Sequence, residues 1–170
     1  MWMPFLRQSL YPLLDISRSG DTYTIKQKDG PFLHNAESEL PENTEYNWQY
    51  PMVLRHTEVG GASGEKLLKA GAEVQVTSSG LLKFNSAQTS FHRCKYDKPL
   101  RSEFIAALEE NHHQFHELDR TGLMDDAFHL AISGDYRKGF YPSGEPLFIY
   151  GRWQNLWKLP GCIGHSQLYF

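Results

Sequence analysis

The sequence has little of what several protein classes require. It contains two cysteines in 170 residues, Cys94 and Cys162, which are too few for the disulfide framework of a small secreted domain. One disulfide between them stays open at this point. No apolar run approaches the roughly 18 residues that a membrane-spanning helix needs, so no transmembrane segment is predicted. Lysine and arginine form no cluster and the net charge is −3, which argues against a nucleic-acid-binding surface.

What is present in residues 1–98 is a series of short strand patterns separated by turn signals. The predicted strands are residues 11–17, 22–27, 48–56, 72–77, 81–85 and 90–96. The first two flank Ser19-Gly20-Asp21 and predict a hairpin. The polar stretches 34–47 and 58–66 are predicted loops. Several short strands with turns between them predict a small β-sandwich.

The strand predicted at residues 48–56 has a specific expected orientation. Its alternation would bury one row of side chains: Trp48, Tyr50, Met52 and Leu54. Pro51 would then point outward, and it suggests an edge strand or a bulge because proline cannot donate a ladder hydrogen bond.

After Asp97 the spacing of apolar residues becomes helical. Residues 101–111 place Phe104, Ile105 and Leu108 on one stripe, which predicts an amphipathic helix with Ser102 as N-cap and its end near Asn111.

A second helix is predicted over residues 119–133, ending at Gly134. In this interpretation Asp125 and Asp126 face away from the core or lie in the first turn. Residues 99–134 would thus open a helical domain. Residues 135–170 are dense in glycine, proline and aromatic residues, and they are predicted to be an irregular tail.

Two stretches carry a resemblance to a known family. Residues 81–97 resemble the strand pair near the end of the β-sandwich domain in zinc aminopeptidases of the aminopeptidase N family. The matching positions are Lys83, Asn85, Phe91, Arg93, Tyr96 and Asp97. Residues 119–131 resemble the run that begins the helical C-terminal domain of that family. The matching positions there are Asp119, Arg120, Leu123, Asp125, Asp126, Ala127, Phe128, Leu130 and Ala131.

The resemblance implies a parent activity, the zinc-dependent removal of N-terminal residues from peptides. In the family this chemistry belongs to a catalytic domain with a Gly-x-Met-Glu-Asn motif and a His-Glu-x-x-His zinc helix, and neither pattern occurs in these residues. The sequence is therefore expected to be a non-catalytic piece of such an enzyme. Two alternatives stay open: a binding or regulatory module that associates with a full-length aminopeptidase, and a small zinc enzyme.

The small-enzyme alternative depends on the segment HHQFH at residues 112–116. On a helix, His112 and His116 would share a face, as zinc-peptidase ligands do, and Asp135 follows after eighteen intervening residues. However, His113 stands where the general base, a glutamate, is required. The preferred interpretation is a helix end and loop, so no catalytic, cofactor-binding or metal residue is predicted.

Other chemically suggestive residues receive structural interpretations. Asp119 and Arg120 are expected to fix the helix entry by capping and ion pairing, and Cys94 is expected to be a small buried residue. The glycines of residues 60–66 resemble a phosphate loop only loosely. The family includes membrane-anchored extracellular and cytoplasmic members, so no compartment is predicted.

Overall fold

The structure, a computed structural model, describes residues 11–32 and 51–135. Within these ranges the chain forms seven strands and then two α-helices. The strands are β1 (Tyr11–Ser19), β2 (Thr22–Phe32), β3 (Met52–Glu58), β4 (Ser63–Leu68), β5 (Glu73–Thr77), β6 (Leu82–Phe84) and β7 (Arg93–Tyr96). The helices are α1 (Lys98–Asn111) and α2 (Glu117–Ile132). The predicted loop at 34–47, the expected burial of Trp48 and Tyr50, and residues 136–170 of the predicted tail lie outside the described residues.

The first sheet has the strand order β5-β2-β1-β7. Strands β1 and β2 pair antiparallel through register pairs such as Ile16 and Ile25, and Gly20 supplies the positive φ of 58° that the connecting turn requires. The predicted hairpin is therefore confirmed. Strand β7 runs parallel to β1 and pairs Leu14 with Cys94, which brings the sequence that precedes α1 beside the first strand.

The second sheet has the order β4-β3-β6. Met52 and Leu54 are buried as predicted. The edge-strand prediction for this region is wrong, because β3 pairs with β4 on one side and β6 on the other. Pro51 precedes the strand and is exposed, so its missing N–H costs the ladder nothing.

Strand β4 contradicts the prediction of a loop over residues 58–66. The turn is confined to residues 59–62, and pairing with β3 begins at Ser63. Gly64 lies opposite His56, whose ring covers it so closely that an added Cβ would meet the imidazole at 2.6 Å. The His56 imidazole thus fills the space at residue 64 that an apolar side chain would otherwise occupy.

The helix boundaries follow from capping. Asp97, and not the predicted Ser102, caps α1: its Oδ1 accepts from the Leu100 N–H at 3.0 Å, and a proline suits the first helical turn because its N–H is not needed there. The predicted end at Asn111 is confirmed. Helix α2 ends before Gly134, whose φ is 78°, as predicted. Neither helix of the described part is long and apolar enough to cross a membrane.

One hydrophobic core is shared by both sheets and both helices. It joins Ile25 and Leu54 of the two sheets to Phe104 of α1 and Leu123 of α2. On the opposite face of the first sheet, Leu13 packs against Leu130. The fold class predicted, a small β-sandwich followed by helices, is confirmed, while the division at residues 98 and 99 stays a prediction.

Candidate functional site

The HHQFH segment does not form one helical face. Helix α1 ends at Asn111, His112–Gln114 form a single 3-10 turn, and Phe115 has an extended backbone. His116 is the N-cap of α2, and its Nδ1 accepts a hydrogen bond from the Leu118 N–H at 3.2 Å. The two histidines therefore lie on either side of a break between helices, in the helix end and connection that the sequence favoured.

Asp135, the third residue of the hypothetical zinc set, acts as a counter-ion. Its carboxylate lies 2.8 Å from Lys28 Nζ and 3.6 Å from Lys95 Nζ, and it also accepts from the Ser133 hydroxyl. Burial acts to raise the pKa of Asp135, but the hydrogen bond and charge of Lys28, with Lys95, lower it on balance. The carboxylate is already neutralised by two lysines.

These three residues do not fit a zinc site. A zinc site made of these side chains needs neutral imidazoles and a carboxylate that converge on one point, whereas His116 caps a helix and Asp135 binds lysines. Across residues 11–32 and 51–135, no group of three or more histidine, cysteine or acidic side chains is placed to hold a metal ion. That the chain binds no metal stays a prediction.

Among the described residues, buried charges concentrate at the junction between the sheets and α2. Lys83 of β6 and Asp119 in the first turn of α2 form an ion pair, with 3.1 Å between Nζ and Oδ1. Lys83 also donates to the Asn85 carbonyl at 2.6 Å, and the Ala87 N–H donates to Asp119 at 2.7 Å. The pair fixes both the helix and the loop after β6.

That loop contains three residues in the left-handed region. Asn85, Ala87 and Gln88 have φ values of 56°, 51° and 54°, an uncommon conformation for residues other than glycine. The Asn85 amide binds the far end of this loop: its Oδ1 accepts from the Ser90 N–H at 3.0 Å, and its Nδ2 donates to the His92 carbonyl at 3.2 Å. The Asn85 side chain thereby ties the start of the loop to its end.

A second ion cluster joins β7 to the middle of α2. Arg93 Nη1 lies 2.7 Å from Asp125 Oδ2 and 3.0 Å from Asp126 Oδ1. Asp126 also accepts from the Cys94 N–H at 3.1 Å. The guanidinium lies over the Tyr11 ring at 5.3 Å, which adds a cation–π contact.

The two aspartates correct an expectation from the sequence. They lie in the helix interior and not in its first turn, and Asp126 is buried instead of facing away. Burial raises the pKa of Asp126 to about 6, although its hydrogen bonds and Arg93 act in the opposite direction. Both carboxylates form ion pairs with Arg93.

Two potentially reactive side chains on this part of the chain are held neutral. Cys94 is buried, as expected, and it is a free thiol; burial raises its pKa well above the usual range. A thiol so seldom ionised is a poor nucleophile. Burial, with the nearby charge of Lys83, lowers the pKa of His92 to about 3, so this imidazole is neutral near pH 7.

Asp119 and Arg120 play roles close to those expected. The cap of α2 is His116 and not Asp119, so that part of the expectation is wrong. Arg120 donates from Nη1 to the His112 carbonyl at 3.2 Å, which ties the end of α1 to the start of α2. The ion pairing expected of this stretch is made by Asp119 with Lys83.

The N-terminal end of α1 is fastened to the first sheet in a similar way. Arg18 of β1 donates to Glu103 of α1, with 2.6 Å between Nη2 and Oε2. It also donates to the Tyr23 hydroxyl at 3.0 Å, and the Arg18 N–H donates to the Asp97 carboxylate at 3.2 Å. Both helices are therefore anchored by side chains of the sheets.

Comparison of the sequence with known proteins finds similarity to aminopeptidases. No protein-family model matches the sequence. Human glutamyl aminopeptidase is 30% identical over 132 residues, which cover 74% of this chain and 13% of that protein. Endoplasmic reticulum aminopeptidase 2 of Bos taurus is 29% identical, over 72% of this chain and 13% of its own length. Tricorn protease-interacting factor F2 of Thermoplasma acidophilum is 26% identical, over 82% of this chain and 16% of its own length.

The chain is related to the aminopeptidase N family. It spans only about 13–16% of the length of these aminopeptidase relatives. The two stretches that carried the resemblance contain both buried ion clusters: Lys83 and Arg93 belong to the first stretch, and Asp119 and Asp126 to the second. The sequence did not predict that Lys83 pairs with Asp119 or that Arg93 pairs with Asp126. The signal that could have indicated these pairs is that all four residues lie in the two stretches that resemble the family.

Proposed function

We propose that this part of the chain is a non-catalytic bracing segment of an aminopeptidase, which holds a β-sandwich and the first helices of a helical layer in a fixed relation. The single observation that carries the proposal is the junction itself. Two side chains of the sandwich, Lys83 and Arg93, each pair with a carboxylate of α2 that is less than one-tenth exposed. Such pairs tolerate little displacement, because each charge depends on its partner.

The positions that resemble the family support this assignment. Lys83, Asn85, Arg93, Asp119 and Asp126 all belong to the junction, and each makes a contact across it or within its loop. Their chemistry is thus accounted for by structure. In this proposal, hydrolysis of N-terminal residues from peptides, with its zinc, is the work of residues outside this sequence.

The first experiment measures zinc content and cleavage of a leucine- or alanine-linked fluorogenic substrate by the purified 170-residue chain. We expect no stoichiometric zinc and no turnover. The matched variant is His116→Ser, because serine retains an N-cap acceptor while the imidazole is removed. One zinc per chain, with turnover that is abolished in His116→Ser, would replace the bracing proposal with a small metalloenzyme.

A second experiment tests the bracing role directly by hydrogen exchange. The amides of Phe84, Ala87 and Cys94 donate to Tyr96, Asp119 and Asp126. If the junction is one rigid unit, these amides and the α2 backbone exchange through one common opening. Exchange of α2 at a much lower opening free energy than β7 would show that the helix is not braced by the sandwich.

A further inference from the structure

Strand β4 ends the second sheet, and no strand of the described part of the chain pairs with its outer edge. It pairs with β3 on one side, and Glu65, Lys66 and Leu67 are exposed. An open strand edge carries unpaired backbone groups that can accept a strand from another molecule. The edge is therefore a site where association between copies must be favoured or prevented.

Lys66 occupies an unusual position on this edge. Its register partner in β3 is Leu54, which is fully buried in the core. Because cross-strand partners share a face of the sheet, Lys66 projects from the inward face, between the buried Leu68 and Gly64. Lys66 is nevertheless exposed, and a long side chain at a sheet edge can keep its ammonium in water by extending past the edge.

The outward face of the same strand is attractive to a partner. Val53 and Leu67 are register partners, and they are 39% and 51% exposed. The next pair, Arg55 and Glu65, is an exposed ion pair at 3.7 Å. If β4 of a second copy joined the sheet at this edge, its side chains would cover the Val53–Leu67 pair and extend the apolar surface.

We propose that Lys66 prevents the β4 edge from pairing with β4 of a second copy of this chain. Antiparallel pairing centred on Lys66 or on Glu65 sets like charges opposite each other. Centring on Leu67 brings Leu67 against its copy and Glu65 against Lys69 of the copy, which is the favourable register for the outward face. In that register Lys66 lies opposite Leu68 of the copy on the inward face, where its ammonium loses its route to water.

The test compares Lys66→Val with Lys66→Glu in the full chain. Valine removes the charge and favours strands, whereas glutamate keeps a charge at the same inward position. Each is combined with Leu67→Cys, because the centred register places the two cysteines directly opposite, within the separation that a disulfide spans. We expect Lys66→Val/Leu67→Cys to form a disulfide dimer under mild oxidation, while Leu67→Cys alone and Lys66→Glu/Leu67→Cys stay at least tenfold less cross-linked.

A positional control separates strand pairing from general aggregation. In Lys66→Val/Glu65→Cys the cysteine lies opposite residue 69 of the copy, about 13 Å along the strand from its own equivalent, and it should not cross-link. Light scattering of Lys66→Val should show a concentration-dependent dimer. Equal cross-linking at residues 65 and 67, equal yields with valine and glutamate, efficient cross-linking of Leu67→Cys alone, or a monomeric Lys66→Val each overturn the proposal.

Discussion

Lys83 Nζ lies 3.1 Å from Asp119 Oδ1, and the two side chains are only 2% and 4% exposed. Removing one member of a buried pair leaves an uncompensated charge, which typically costs about 3–5 kcal/mol. We therefore expect Asp119→Ala to lower the free energy of unfolding by this amount, because it also removes the acceptor of the Ala87 N–H. Urea denaturation followed by circular dichroism measures the change.

The exposed pair Arg55–Glu65 is the internal control for this prediction. Its side chains are more than half exposed, so Glu65→Ala should change the free energy of unfolding by at most about 1 kcal/mol.

In a double-mutant cycle, Lys83→Met with Asp119→Leu should lower the free energy of unfolding by less than the sum of the two single changes. Additive single changes would mean that the two charges do not depend on each other.

Asp125 and Asp126 offer a matched pair of variants, since both bind Arg93 Nη1 from adjacent helix positions. The Asp125 side chain is 47% exposed and that of Asp126 is 7% exposed. We expect Asp125→Ala to cost at most about 1 kcal/mol and Asp126→Ala about 3 kcal/mol or more, measured near pH 7.5. Similar costs for the two variants would contradict the assignment of Asp126 as the buried partner.

The parts of the fold that the sequence predicted are those with a local cause. The β1–β2 hairpin follows from alternation around Gly20, and the end of α2 follows from Gly134. Strand β4 escaped prediction because Gly64 and Lys66 occupy inward positions that are usually apolar. Its pattern therefore lacks the period of two.

The junction escaped prediction for a different reason. Lysine is rarely buried without a partner, and nothing local indicates that Asp119, 36 positions later, neutralises Lys83. Only the packing of α2 against the loop after β6 brings the two together. The preference for a helix end at HHQFH was available from sequence, because it needs only the local helix boundaries.

His92 predicts a specific pH dependence. Its folded-state pKa is about 3, below the ordinary value near 6.5. Between these values the unfolded chain binds a proton that the folded chain does not, so this group lowers stability as the pH falls from 6.5 toward 3. We expect His92→Leu to become more stable relative to the unmodified chain over this range, by up to about 1.4 kcal/mol per pH unit.

Asp126 should change the stability with pH in the opposite direction to His92. Its folded-state pKa of about 6 exceeds its usual value of 3.8, so between pH 6 and 3.8 the folded chain holds the extra proton and gains stability as the pH falls. Asp126→Asn should therefore lose stability relative to the unmodified chain over this interval. Urea unfolding at half-unit steps from pH 7.5 to 4 measures both differences, and equal slopes for the two variants would refute them.

Gly122 tests how tightly the loop after β6 packs on α2. Alanine in a helix interior is normally about 1 kcal/mol more favourable than glycine, but a Cβ at residue 122 would lie 2.5 Å from Gln88 Cδ. The flexible Gln88 side chain can move, but it then gives up its 3.4 Å contact with Lys83 Nζ. We therefore expect Gly122→Ala to leave the free energy of unfolding nearly unchanged in the original chain. In a Gln88→Gly background the same substitution should raise the free energy of unfolding by about 1 kcal/mol. There the obstructing side chain is gone, and glycine accepts the positive φ at residue 88 without strain. Urea unfolding of the four chains gives the coupling, and an equal gain in both backgrounds would mean that Gln88 does not pack over this turn of α2.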